Sequence, residues 1–258
     1  MICVRFSALT MLLLIFILFK VQIISGSRST EDTVSPNQFP YVVCILLKKV
    51  CSENPMVYHC EGSIIGEYWT LTSVMCINRK IKLVIKHGHL LVRSKTMKCM
   101  NNDLPHKDHI IEQYFSEEDI KSGIALLKVQ QSFDDFNQVR LLLPSPFQKL
   151  PDKTEITLAG WVFSPYAKLR IVKFRLIDID ECKTVDKSMQ NHFLCAQGLT
   201  SRDMCLAYTG GAVVWNRIQI GIILDISMND DNCYNQAAVS FPSVSSVVSW
   251  INDTIQHN

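Results

Sequence analysis

Four of the seven histidines stand in two close pairs, and histidine is the commonest metal ligand among side chains. His87 and His89 alternate within a stretch typical of a β-strand, so their side chains share one face. His106 and His109 lie in a polar loop further along the chain. Four histidines are enough to bind a metal ion, but nothing in the sequence brings the two pairs together. The pattern therefore favours surface histidines without a metal.

Cysteines are the second set of reactive side chains, and there are ten of them. Cys3 lies in an apolar leader that we expect to be removed, which leaves nine. An odd number cannot all pair within one chain, so at least one thiol stays free or bonds to another chain. The cysteines show no paired CxxC spacing, which argues against zinc, and no other cofactor is predicted. Cysteine usage of this kind is typical of an extracellular protein.

The leader, residues 1–26, has the pattern of a secretory signal peptide. Arg5 precedes the apolar run 8–19, and small residues follow around Gly26, where cleavage is expected. The alternative is an uncleaved signal anchor, but twelve uninterrupted apolar residues fall short of the ~20 that span a bilayer. We therefore expect residues 27–258 to be secreted, with no membrane contact after cleavage.

Charge excludes several classes of partner for the mature chain. Without Arg5 and Lys20, the 26 basic side chains fall to 24, which equals the number of acidic ones. The sequence holds no basic run of the kind that binds nucleic acid or a phospholipid surface. The mature protein is therefore expected to be nearly neutral, and charge does not identify what it binds.

The elements that must position any site are predicted to be mostly strands. Four apolar stretches rich in β-branched residues are bounded by polar turns: 41–47, 81–92, 170–179 and 218–226. One helix is predicted over 245–256, with a serine in capping position and apolar residues at Val248, Ile251 and Ile255. Periodicity by itself predicts an all-β chain, either barrel or sandwich.

Three motifs resemble those of chymotrypsin-like serine proteases: LTSVMC (71–76), GIALLKV (123–129) and CLAYTGGAV (205–213). Further matches follow in the family's order: CEGSIIGEYWTLTSVMC (60–76), LAGW (158–161), ECKTVDKSMQNHFLCA (181–196) and VSSVVSWINDTIQHN (244–258). The resemblance covers about residues 38–258. It implies two packed antiparallel six-stranded β-barrels with a C-terminal α-helix, and a boundary between the barrels near 145–155.

The resemblance places other residues where the family has its catalytic triad. Met75 stands at the histidine, Gly123 at the aspartate and Thr209 at the serine. A hydroxyl is a poor nucleophile until a base removes its proton, so this substitution pattern predicts an inactive homologue. The alternative is an active hydrolase with an unconventional Thr209 site, which would need a base from elsewhere.

Neighbouring positions implied by the resemblance also differ from the family. Ala207 replaces a glycine of the oxyanion hole, and Tyr208 replaces the aspartate that pairs with a newly cleaved amino terminus, so no zymogen cleavage is expected. Asp203 stands where the family's pocket-base aspartate captures a basic side chain, but a solvated or salt-bridged Asp203 is expected here because the pocket is blocked. Ile226 and Val239 replace the wall glycines and are expected to block that pocket.

The resemblance also implies three disulfides: Cys60–Cys76, Cys182–Cys195 and Cys205–Cys233. Three further cysteines have no family counterpart: Cys44, Cys51 and Cys99. They form either one local bridge and a buried thiol, or a disulfide to another chain. Asn252-Asp253-Thr254 is an N-glycosylation acceptor pattern.

Together these features predict a secreted, non-catalytic serine protease homologue that acts by binding. Its expected role is that of a regulator, cofactor or decoy in an extracellular proteolytic, immune or reproductive pathway. Its expected partners are active proteases, their substrates or their inhibitors. A disulfide-linked structural or complex-forming subunit is the other alternative.

Overall fold

The computed structural model describes residues 38–49, 56–77, 88–94, 106–117, 122–162, 168–185, 192–199, 209–224 and 238–258. All of them lie in one compact unit, Thr33–Asn258. The predicted signal peptide falls outside the described residues, so its cleavage stays a prediction. No helix in the described ranges has both the length and the apolar character needed to cross a membrane.

Six antiparallel strands of the amino-terminal half close into a barrel. Their order around the barrel is β1-β2-β3-β6-β5-β4. Short runs of alternating or continuous apolar residues suit strands that bury one or both faces. The strands are β1 (Val42–Lys49), β2 (Met56–Ile64), β3 (Trp69–Ser73), β4 (Gly88–Ser94), β5 (Lys107–Ser116) and β6 (Ile124–Val129).

The carboxy-terminal half forms a second six-stranded antiparallel sheet in the order β11-β10-β7-β8-β9-β12. Its edge strands approach each other, and an antiparallel bridge joins Gly221 to Ser243. The predicted architecture of two six-stranded antiparallel barrels with a C-terminal helix is confirmed. The strands are β7 (Glu155–Val162), β8 (Lys168–Ile177), β9 (Phe193–Gly198), β10 (Ala212–Trp215), β11 (Ile218–Ile222) and β12 (Val239–Pro242).

Helices are few and short in the described chain: α1 (Phe136–Val139), α2 (Ile179–Val185) and α3 (Val248–His257), with 3₁₀ turns at Val74–Cys76 and Val244–Ser246. The predicted C-terminal helix exists, but its expected serine cap is wrong. Val247 stands at the N-cap and makes no side-chain capping bond, because residues 244–246 already form the 3₁₀ turn.

The two barrels share buried side chains where they meet. On one side, Val42 and Cys44 of β1 cluster with Trp161 of β7 and with Ala212 and Val214 of β10. On the other side, Leu71 and Ile124 cluster with Ile222 and with the buried face of α3. The end of β3, the start of β6 and the turn before β10 are thereby fixed against one another.

Candidate functional site

Met75 lies at the end of β3, within the 3₁₀ turn Val74–Cys76. The Ser73 side chain caps this turn, because its Oγ accepts a hydrogen bond from the Met75 backbone N–H at 3.1 Å. The Met75 side chain is 49% exposed. Its thioether therefore lies at the surface, and a thioether does not take up a proton as an imidazole does.

Gly123 directly precedes β6 and has φ +76, a left-handed conformation that glycine adopts without strain. Its carbonyl accepts a hydrogen bond from the Val74 backbone N–H at 2.8 Å, which joins this segment to the Met75 turn. A Cβ built on Gly123 would lie 2.7 Å from Cδ2 of Leu224. The Leu224 side chain therefore occupies the space that a side chain at position 123 would need.

Thr209 begins the tight turn that leads into β10. Its carbonyl accepts a hydrogen bond from the Glu61 backbone N–H at 2.9 Å. The next residue, Gly210, has φ +87, and a Cβ there would collide with the backbone oxygen of Glu61. Glycine is required at this position both for its backbone conformation and for the close approach to β2.

The segment Ile223–Leu224 connects these three places. The Ile223 carbonyl accepts from the Gly210 N–H at 2.7 Å, and the Leu224 carbonyl accepts from the Ser73 hydroxyl at 3.2 Å. Met75, Gly123 and Thr209 are thus brought to one place by a continuous network of short hydrogen bonds. The family motifs identify these three residues but not Leu224. Its position two residues before the expected pocket wall, Ile226, was the one hint in the sequence.

Within the described ranges, the hydroxyl of Thr209 has no hydrogen-bonded base. Among the described residues, no histidine or carboxylate hydrogen-bonds to it. His59 is bonded to the residue after Met75, because its Nε2 donates to the Cys76 carbonyl at 2.7 Å. A hydroxyl–imidazole pair does occur elsewhere, between Ser94 Oγ and His109 Nε2 at 3.1 Å, and it is enclosed in the first barrel.

Burial explains why the Ser94–His109 pair is not a reactive centre. Ser94 is 3% exposed and His109 is fully buried. The His109 Nδ1 donates to the Gln131 carbonyl at 3.0 Å, and burial lowers the pKa of the imidazole. The expectation that His109 is a surface histidine in a loop is therefore wrong, because β5 extends through it and points it inward.

The other histidines of the two close pairs are His87, His89 and His106. His106 lies 3.8 Å from the Asp108 carboxylate, and His89 lies on β4. His87 falls outside the described residues. Within those residues, no group of three or more His, Cys, Asp or Glu side chains has the geometry of a metal site.

Glu61, which the sequence comparison did not single out, is the most unusual acid near the site. Its carboxyl is completely buried, and its Oε1 accepts a hydrogen bond from the Trp161 backbone N–H of β7. Burial raises the pKa of Glu61 to about 8, although the Trp161 N–H and the Tyr58 hydroxyl both favour the ionised form. No local pattern marks this residue, because its contacts come from strands 100 residues apart.

Of the residues assigned to the specificity pocket and the oxyanion hole, the structure describes Val239. Val239 lies on β12, pairs with Ala196 of β9 and packs against the core of the second barrel. Asp203, Ala207, Tyr208 and Ile226 fall outside the described residues, and their roles stay predictions.

Two of the three implied disulfides are present, Cys60–Cys76 and Cys182–Cys195. The third pair, Cys205 and Cys233, lies outside the described residues. Cys44 is disulfide-bonded as well, to a cysteine that is also outside them. A bonded Cys44 is not available for a link to another chain.

Comparison with known proteins gives the same family throughout. The family model described as Trypsin matches residues 29–251. Chymotrypsin from Phaedon cochleariae is 24% identical over 241 residues, which make up 90% of this chain and 81% of that protein. Phenoloxidase-activating factor 3 from Holotrichia diomphalia is 24% identical over 205 residues, 70% of this chain and 57% of that protein.

Solved structures share the fold at low sequence identity. A scabies mite inactivated protease paralogue has a TM-score of 0.67 and 17% identity, and it covers 88% of this chain and 99% of its own. Kallikrein-related peptidase 10 has a TM-score of 0.66 and 19% identity, over 87% of this chain and 100% of its own. At these identities the likeness extends to the arrangement of strands alone.

Proposed function

Because this chain belongs to the trypsin family of serine proteases, whose model spans residues 29–251, we propose that it is a secreted member that acts by binding proteins and does not cleave peptide bonds. Cleavage in this family needs a nucleophile, a base and a group that orients the base. The residues assigned to those positions here are Thr209, Met75 and Gly123. Two of them carry no group that accepts or shares a proton.

The packing of Leu224 is the observation that carries this proposal. Its side chain fills the space beside Gly123, where an orienting carboxylate would have to stand. Both residues are half-buried, and the leucine stands where that carboxylate would stand, so an acid at position 123 would have to displace it. The position assigned to the base carries Met75, and the space for the group that would orient the base is filled by Leu224. Two linked changes favour a scaffold used for binding over a catalytic site that lacks a single residue.

We propose that the surface around Met75 contacts the partner. Methionine is flexible and polarizable, and it adapts to irregular partner surfaces. Phenoloxidase-activating factor 3 is named for the activation of another enzyme, and the mite paralogue is named as inactivated, so regulation of other proteins and loss of cleavage are both found among proteins similar to this chain. The proposed partners are active proteases, their protein substrates or their inhibitors, which this chain regulates as a cofactor or decoy.

Turnover of a broad peptide library tests the absence of catalysis. The wild-type protein is secreted from a eukaryotic host, and sequencing of its amino terminus checks cleavage near Gly26. A Thr209→Ala variant, prepared identically, is the matched control. We expect no cleavage from either protein. Cleavage by the wild type that Thr209→Ala abolishes would show that the unconventional threonine site is real.

A competition assay tests the binding face. The protein is added to a trypsin-family protease acting on a folded protein substrate, and the cleavage rate is followed. We expect a saturable change in rate that Met75→Glu reduces at least tenfold in potency, since a charge in the contact must be desolvated. Leu199→Glu is the control, because Leu199 is 42% exposed but lies on the second barrel after β9. If Met75→Glu and Leu199→Glu reduce the potency equally, the partner does not contact Met75.

A further inference from the structure

Glu61 is held at the junction of both barrels and the Thr209 turn by its own peptide groups. Its N–H donates to the Thr209 carbonyl at 2.9 Å, and its carbonyl accepts from the Thr72 hydroxyl at 2.7 Å. The side chain then extends away from the first barrel towards β7, where Oε1 meets the Trp161 N–H. One residue thus links β2, β3, β7 and the turn.

The carboxyl fits its site so closely that it has little room to move. A Cβ on Gly160 would lie 2.6 Å from Oε2, so only glycine leaves space for this oxygen. Oε2 is itself buried and accepts no hydrogen bond from the described residues. A carboxylate with one unsatisfied oxygen in an apolar site is strongly disfavoured, whereas the neutral acid is tolerated.

No cation of the described residues is among the groups that shift the pKa of the Glu61 carboxyl. Two arginines lie on neighbouring strands: Arg93 on β4, opposite Cys44, is ion-paired with Asp108, and Arg170 on β8 lies opposite Gly160. β3 and the turn 209–211 carry no titratable side chain. The acid of β7, Glu155, is ion-paired with Lys173 at 2.9 Å near the surface. On β1, Cys44 lies opposite Glu61 in the sheet and is in a disulfide. Tyr58 on β2 is the titratable group that acts on Glu61.

We propose that Glu61 makes the Thr209 turn sensitive to pH, because the neutral carboxyl keeps the turn docked between the barrels and the ionised carboxyl loosens it. An ionised Glu61 must gain water or a cation, and reaching either requires the β2 backbone to shift. The same backbone holds the Thr209 carbonyl. The inference goes beyond the proposed function and does not depend on it, because it concerns only how firmly the turn is held.

The direction of the effect follows from the shift in the pKa. The folded protein holds the Glu61 proton up to about pH 8, while the unfolded chain releases it near the ordinary value of 4.5. Below pH 4.5 the Glu61 carboxyl is protonated in both the folded and the unfolded state, so its contribution to the free energy of unfolding is fully present. It falls as pH rises between the two values, by roughly tenfold in the unfolding equilibrium constant per pH unit.

Hydrogen exchange measured against pH tests the inference without any partner. The amides of Gly210 and Ile223 are hydrogen-bonded across the turn, and β8 provides an internal reference. Relative to intrinsic rates, we expect protection of 209–224 to fall at least tenfold between about pH 6 and pH 9, and the protection of β8 shows how much of that fall comes from global unfolding. In Glu61→Gln, whose side chain has the same shape but cannot ionise in this range, protection should stay flat.

The matched control is Glu155→Gln, which neutralises an exposed acid on β7 and should keep the wild-type profile. Parallel pH profiles for Glu61→Gln and the wild type would overturn the proposal. If Glu61→Gln fails to fold, infrared difference spectra of the wild type decide instead. A protonated-carboxyl band lost near pH 8 supports the inference, and its loss near the ordinary carboxyl range contradicts it. Neither outcome alters the turnover result for Thr209.

Discussion

Gly123 and Leu224 fit against each other, and their contact leaves no space for a carboxylate side chain at position 123. Glycine at position 123 leaves a gap beside β6, and the leucine fills it with carbon at 2.7 Å from where a Cβ would stand. Replacing the glycine alone therefore does not rebuild a catalytic carboxylate. The two positions have to be considered as a pair, which a comparison of single motifs does not reveal.

Gly123→Asp is expected to destabilise the protein by roughly 2–4 kcal/mol, from left-handed strain, collision with Leu224 and partial burial of the new charge. Adding Leu224→Ala should recover about 1–2 kcal/mol of that loss, since it removes the collision. Urea unfolding of the two single variants and the double variant measures this coupling. Gly123→Ala, which keeps the strain and the collision without the charge, separates the electrostatic part. Strict additivity would mean that the two side chains do not compete for space.

At the scale of elements, α3 contributes more to the site than its position at the chain end implies. Val248 and Ile251 are buried, and Ile251 belongs to the cluster that holds Leu71 of β3 and Ile124 of β6. β3 ends at Ser73, two residues before Met75, and β6 begins directly after Gly123. The helix therefore fixes both segments from behind.

Ile251→Ala is expected to cost about 2–5 kcal/mol of unfolding free energy, because it leaves a cavity among fully buried side chains. Ile255→Ala is the matched control, since Ile255 is only partly buried against the same cluster. Its cost should be clearly smaller. Thermal or urea unfolding of both variants provides the comparison, and equal costs would show that α3 packs loosely.

For the whole molecule, the architecture followed from the sequence because the family motifs fix it over most of the chain. Periodicity alone predicted strands but left barrel and sandwich open. The errors were local: residues 244–246 form a 3₁₀ turn where a serine cap was expected, and β5 carries His109 into the core. Both depend on tertiary packing, which a window of neighbouring residues does not contain.

The site was less predictable than the fold. Its degenerate positions could be named from motifs, yet the residues that explain them physically could not. Glu61 lies beside a cysteine in an otherwise ordinary strand, and its meaning depends on Gly160 and Trp161 in the other barrel. Leu224 matters only because it meets Gly123. Contacts between segments 100 residues apart carry no signature in one sequence.

A groove beside α3 brings the N-glycosylation acceptor Asn252 close to exposed apolar side chains. It has a volume of about 470 Å³ and is lined by the β2–β3 connection, residues 140–143 and α3. Tyr68 and Leu142 in its wall are 37% and 50% exposed. Asn252 of the acceptor triplet lies in the same wall and is exposed.

We expect Asn252 to carry an N-linked glycan that covers Tyr68 and Leu142, because sugar rings pack against aromatic and apolar surfaces while their hydroxyls stay hydrated. Protein secreted from a eukaryotic host should lose mass on treatment with an N-glycosidase and then bind more of an apolar fluorescent dye. Asn252→Gln and Thr254→Ala should abolish the glycan, whereas Thr254→Ser should keep it. An unmodified Asn252 in the secreted wild type would show that the groove is open to other occupants.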